Sequence, residues 1–192
     1  PRVQLDFTPR YAQQLDAMYQ DWLKARRKPA DIARLRELAG VKADEPVPRL
    51  RRGDFSIAPT ERFQAEAEFL TDVEKKYFRD KGDYLKKELG VKALVIGNAD
   101  HTYWIPGQPM LRANSLLDFT DAHVYWQHPA IWGRRNTPMV DDPLHATVLK
   151  LSRAAMAGRA LTVSEVNHKN TNEYGAEMIP ILAAYAALKD WD

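Results

Sequence analysis

Ala160-Leu-Thr-Val-Ser-Glu165 is a short apolar run that closes on a carboxylate, and its setting between two helical stretches decides how the chain is read. Aliphatic and β-branched residues in so short a run have strand character. Upstream, residues 143–157 have the spacing of a helix closed by Gly158. Downstream, residues 174–188 read as an alanine-rich helix. Two further strands are expected: Leu117-Asp-Phe-Thr-Asp-Ala-His-Val-Tyr-Trp126, and Val91-Lys-Ala-Leu-Val-Ile-Gly97. A long helix beginning at Thr60 precedes them. Its buried stripe is expected in Phe69, Leu70, Val73, Tyr77, Phe78, Leu85 and Leu89, and Gly90 stops it.

The order helix, strand, strand, helix, strand, helix predicts a parallel α/β sheet covered by helices. Three strands with a cut edge cannot close on themselves, and a complete (β/α)8 barrel takes about 250 residues. The expectation is therefore a partial TIM barrel truncated at both ends, with strands near 93–97, 119–125 and 161–165. Residues 1–59 form a helical excursion within the same domain. Thr8-Pro9 opens one helix with Tyr11, Leu15, Met18, Tyr19, Trp22 and Leu23 on one face. A second helix spans 30–39 and stops at Gly40, and 41–58 reads as an irregular, solvated excursion with a basic cluster at Arg49–Arg52. Pro106 and Gly107 mark a turn only.

Composition narrows the function classes. The 192 residues are 45% hydrophobic with a net charge of +2, so charge points to neither nucleic acid nor an anionic membrane. No apolar run approaches the ~20 residues of a membrane span. Cysteine is absent, which removes disulfides and thiolate metal sites. No glycine-rich phosphate loop is present, and Ser164 lacks the x-Gly that follows it in a nucleophile elbow. No cofactor is expected, and compartment is left open.

In parallel α/β folds chemistry gathers at the C-terminal ends of strands. There the sequence offers Asn98, Asp100 and His101, then Asp121, His123, Tyr125 and Trp126, then Ser164, Glu165 and His168. A glutamate closing an apolar strand is costly to bury without partners. Glu165 is thus a working carboxylate, a surface glutamate at a loop start, or one pairing with a nearby Lys or Arg. His123 and Tyr125, two apart on a strand, share a face and can orient a carboxylate. Alternatively they are a polar pair filling the interior, with Asp121 deeper on the same face. Trp104, Trp126 and Trp132 are either core plugs or platforms for the apolar face of a sugar.

These residues resemble a family. His123-x-Tyr125 on one strand and Glu165 on the next are similar to the cellulase-like glycoside hydrolases of clan A, typified by family 5. There the sixth strand carries His-x-Tyr and the seventh the nucleophilic glutamate. Residues 118–129 and 161–168 look like those two strands, and 88–93 and 174–192 like the flanking pieces. The resemblance implies barrel units from about strand five to the start of strand eight. It implies retaining hydrolysis of O-glycosidic bonds in a poly- or oligosaccharide, with Glu165 as nucleophile. Tyr125 would hold Glu165, and His123 would orient the site. Asn98, Asp100, Trp104, Trp126, Trp132 and His168 would contact the carbohydrate. The acid/base glutamate is expected upstream of Pro1, so the chain by itself is expected to be inactive. Two other readings remain: a non-catalytic carbohydrate-binding relative, and a metal-dependent barrel hydrolase using histidines such as His123, His128 and His168.

Overall fold

The computed structural model describes residues 8–51, 53–99, 107–127, 136–168, 170 and 172–191. The chain forms two compact units, one reaching to Val73 and the other starting at Glu74.

The first unit is helical. α1 (Pro9–Arg26) starts on proline at its first turn and ends in Lys24 and Arg26, which suit the negative end of its dipole. α2 (Pro29–Ala39) stops at Gly40, whose φ of 68° is the left-handed conformation glycine adopts without strain. α3 (Thr60–Asp83) supplies the third wall and continues past the unit boundary. The core is Tyr19 and Leu23 from α1, Leu35 from α2, Ala65 and Phe69 from α3, and Val47 from the irregular stretch. Tyr19, Trp22 and Phe69 meet as an aromatic cluster, with ring centroids 5.0–6.1 Å apart.

The basic cluster of that stretch is not all solvated. Arg49 donates from Nε (2.8 Å) and from a guanidinium nitrogen (2.5 Å) to Oε1 of Glu66. Glu66 is 0% exposed, and its other oxygen takes the Leu50 amide at 3.3 Å. A buried carboxylate needs such partners.

The second unit departs from the expected barrel. Its sheet has two strands, β1 (Thr120–Trp126) and β2 (Leu161–His168), paired in parallel. Among the described residues no other strand occurs, 54% are helical, and no barrel wall is seen. The fold is a small α/β protein, not a partial (β/α)8 barrel.

The strand expected at 91–97 is an irregular segment beside β1. Asp118 donates its amide to the Val95 carbonyl (3.0 Å) and His123 to that of Ala99 (3.3 Å). The donors are five positions apart (118 to 123) and the acceptors four (95 to 99), so the register slips and no ladder builds. Asn114 explains part of this. Its side chain clasps the main chain of Asn98 at both amide and carbonyl, in place of a neighbouring strand. Gly97 permits the approach, because a Cβ there would lie 2.3 Å from Asn114 Oδ1.

Helices fill the remaining cover. α4 (Gly107–Asn114) begins where only a turn was expected and buries Met110, Leu111, Ala113 and Asn114. The helix expected over 143–157 is a 3-10 turn followed by α5 (Thr147–Ser152). α6 (Met178–Lys189) closes the chain. Ala122 and Val124 of β1 and Leu161 of β2 form one core with Leu111, Leu151 and Ala154. Trp126, Met139, Ala146 and Val148 form a second. The stripe expected for the long helix is not buried throughout, since Tyr77 of α3 and Leu89, beyond its end, are more than half exposed.

Candidate functional site

The pleat sorts the two strands into an apolar and a polar face. Ala122, Val124 and Trp126 of β1 turn to the core with Leu161, Val163 and Val166 of β2. Asp121, His123 and Tyr125 turn the other way.

A strictly regular β2 would alternate Thr162 out, Val163 in, Ser164 out and Glu165 in. The observed register differs. Asp121 sits opposite Thr162, but His123 sits opposite Glu165, so two steps on β1 face three on β2. This bulge puts Ser164 and Glu165, although consecutive, on the polar face. It also restores Val166 to the core and sets Asn167 beside Tyr125.

The result is a continuous polar row across both strands. Asp121 lies deepest and is buried. Its Oδ1 accepts the Thr162 hydroxyl (2.6 Å) and the Ser164 amide (3.1 Å), and its Oδ2 accepts the Ser164 hydroxyl (2.6 Å). Burial alone would raise this carboxyl's pKa. The bonds from Ser164 and Thr162, with the nearby His123, outweigh burial and hold it below the usual aspartate range.

His123 comes next. Its Nε2 is 2.8 Å from Ser164 Oγ and 3.3 Å from Asp121 Oδ2, while its Nδ1 faces Glu165 Oε2 at 3.6 Å. Tyr125 completes the row by donating its phenol hydrogen to Glu165 Oε2. That carboxylate raises the phenol's pKa, first through the hydrogen bond itself, so Tyr125 stays a donor. Glu165 stands at the open end, with its side chain 52% exposed. Among the described residues its Oε1 accepts no hydrogen bond.

The geometry therefore brings together Glu165, Tyr125 and His123 of the residues singled out from sequence. It adds Thr162, which sequence reasoning passed over, and Ser164, which it weighed only as a nucleophile, and gives Asp121 a role. The signal available for these two hydroxyls was their alternation with Leu161 and Val163 in β2. Trp126 and His168 are not brought to Glu165. They pair across the strands on the core face, with ring centroids 6.3 Å apart. Trp126 donates its indole N–H to the Thr137 carbonyl (2.9 Å), and His168 Nε2 lies 3.3 Å from Glu177. Asn98 is held by its main chain next to β1's other edge, through Asn114. Asp100, Trp104, Trp132 and His128 lie outside the described residues.

Among the described residues no group of three or more histidine and carboxylate side chains is arranged to hold a metal ion. No helix among them is long and apolar enough to cross a membrane. Compared with protein-family models, with curated proteins and with solved structures, the chain matches none.

Proposed function

We propose that this chain carries the nucleophilic half of a retaining glycoside hydrolase site acting on a poly- or oligosaccharide. The observation that carries the reading is Glu165, an exposed carboxylate held by the Tyr125 phenol, with one oxygen uncommitted among the described residues. In such a reaction a carboxylate oxygen attacks the anomeric carbon as an acid protonates the departing glycosidic oxygen, and water then cleaves the glycosyl ester. Tyr125 fixes the direction of the carboxylate through Oε2, leaving Oε1 to attack. The phenol keeps its proton while the carboxylate loses its charge to the ester, so one donor serves both states. Asp121 is unsuited to the acid's role, because its hydrogen bonds keep it ionised.

The test avoids dependence on that acid. A 2,4-dinitrophenol leaving group departs without protonation, and a 2-fluoro sugar slows release of the ester. The purified chain is incubated with 2,4-dinitrophenyl 2-deoxy-2-fluoro glycosides of several sugars in both anomeric forms, digested, and analysed by mass spectrometry. One fluoroglycosyl group on the peptide bearing Glu165, absent in Glu165→Gln, is the expected result. Labelling of another residue, or of none across the panel, would overturn the reading.

A further inference from the structure

The polar row extends inward from Glu165 through groups that touch no substrate in the mechanism above. We propose that Asp121, Ser164 and Thr162 are positioning residues that place the proton of neutral His123 on Nε2, away from Glu165. The functional meaning of the lock rests on Glu165 being the working carboxylate.

Asp121 is ionised and can only accept. Its Oδ2 lies 2.6 Å from Ser164 Oγ, a distance that requires the serine hydrogen to lie between them. Were that hydrogen turned to His123 instead, two bare oxygens would meet at 2.6 Å beside a buried carboxylate. Thr162 and the Ser164 amide hold the carboxylate in this pose through its other oxygen.

Ser164 Oγ has spent its one hydrogen, so toward His123 Nε2, 2.8 Å away, it is an acceptor. Nε2 must therefore carry a hydrogen. In a neutral imidazole Nδ1 then carries none. Glu165 does not draw a hydrogen onto the other nitrogen. Nδ1 stands 3.6 Å from Glu165 Oε2, beyond the range of an N–H···O bond.

The consequence falls on Glu165. A hydrogen on Nδ1 would draw the ring onto the carboxylate and lower its reactivity as a nucleophile. With the hydrogen fixed on Nε2, Tyr125 is the one donor to Glu165 among the described residues, and the negative charge stays available. The bulge matters twice, because it places both Ser164 and Glu165 on the face of one imidazole.

The experiment is a ring-nitrogen NMR measurement on the full 192-residue chain labelled with 15N-histidine, at a pH where the ring is neutral. The His123 signals are assigned by their loss in His123→Gln. The wild-type chain is expected to show Nε2–H with a bare Nδ1. In Asp121→Asn the amide can donate to Ser164 Oγ, which frees the serine hydrogen for Nε2. The majority tautomer is then expected to become Nδ1–H, and labelling of Glu165 by the fluoroglycoside to slow roughly tenfold or more. Ser164→Ala, a small change on an exposed residue, is a second variant that keeps the strand. It should shift the Nε2 resonance by removing its acceptor. A wild-type Nδ1–H tautomer, an unmoved tautomer in folded Asp121→Asn, or an unchanged Nε2 resonance in Ser164→Ala would each overturn the proposal. The tautomer is read without any substrate, so failure of Glu165 to accept a sugar would sink only the functional reading.

Discussion

At the scale of single residues, the two most consequential groups are a carboxylate that is aimed and a phenol that is buried. Replacing Glu165 with glutamine removes the oxygen that forms the ester but keeps shape, so labelling by the activated fluoroglycoside should vanish while the fold persists. Retention of the rate within about tenfold, roughly 1.4 kcal/mol of barrier, would exclude Glu165 as nucleophile. Tyr125→Phe removes one donor to a charged group and no covalent step, so a loss of about 10- to 100-fold is expected. Tyr19 reports a different physics. Burial first, and the charge of Glu66 second, push its phenol up to about 12. In the unfolded chain it titrates near 10. The folded value is the higher one, so Tyr19's contribution is fully present below about pH 10 and is lost as pH rises toward 12. The slope is at most about 1.4 kcal/mol per pH unit. Urea midpoints at pH 9.5 and 11.5 should fall less in Tyr19→Phe than in the wild type. Identical falls in both would show that another group dominates the alkaline limb.

At the scale of elements, the bulge in β2 decides what the strand presents. Hydrophobic pattern forces it, since one-to-one pairing would turn Glu165 toward the core and Val166 away from it. Deleting Ser164 leaves Leu-Thr-Val-Glu-Val-Asn, a plain alternation that fits β1 without a bulge while Glu165 remains on the polar face. The deletion variant should fold, with far-ultraviolet circular dichroism close to wild type, yet lose the His123 acceptor. Collapse of the fold on this deletion would mean that the bulge is needed for stability and not only for aim. In the first unit the element-level device is the Arg49–Glu66 clip, which ties the irregular stretch to α3.

At the scale of the whole molecule, each unit has its own core, and the second also carries much uncovered apolar surface. Leu144 and Leu188 are each 75% exposed and Ile179 is 62% exposed. A two-stranded sheet is marginal in water, and surfaces of this kind favour non-specific association. Sedimentation velocity on the 192-residue chain should therefore show concentration-dependent association. The double variant Ile179→Lys with Leu188→Lys should reduce it without loss of helix. Equal association of both proteins would place the sticky surface elsewhere.

Local chemistry was legible in the sequence wherever one residue settles the matter on its own. Pro9 with Thr8, Gly40, and the apolar face holding Tyr19 and Leu23 marked α1 and α2, because capping, φ and helical spacing are short-range properties. The polar face with His123 and Tyr125 was legible for the same reason, since alternation is local. Three things were decided only by tertiary structure. The run 91–97 has strand composition but no ladder, because its register beside β1 slips and Asn114 takes the main chain of Asn98 just past it. Arg49 reads as solvated until the fold buries Glu66 beside it. Ser164 and Glu165, neighbours that alternation assigns to opposite faces, share one because β2 must register with β1 across a bulge. Pairing partners lie about 40 residues apart along the chain, and no local pattern fixes a register over that distance.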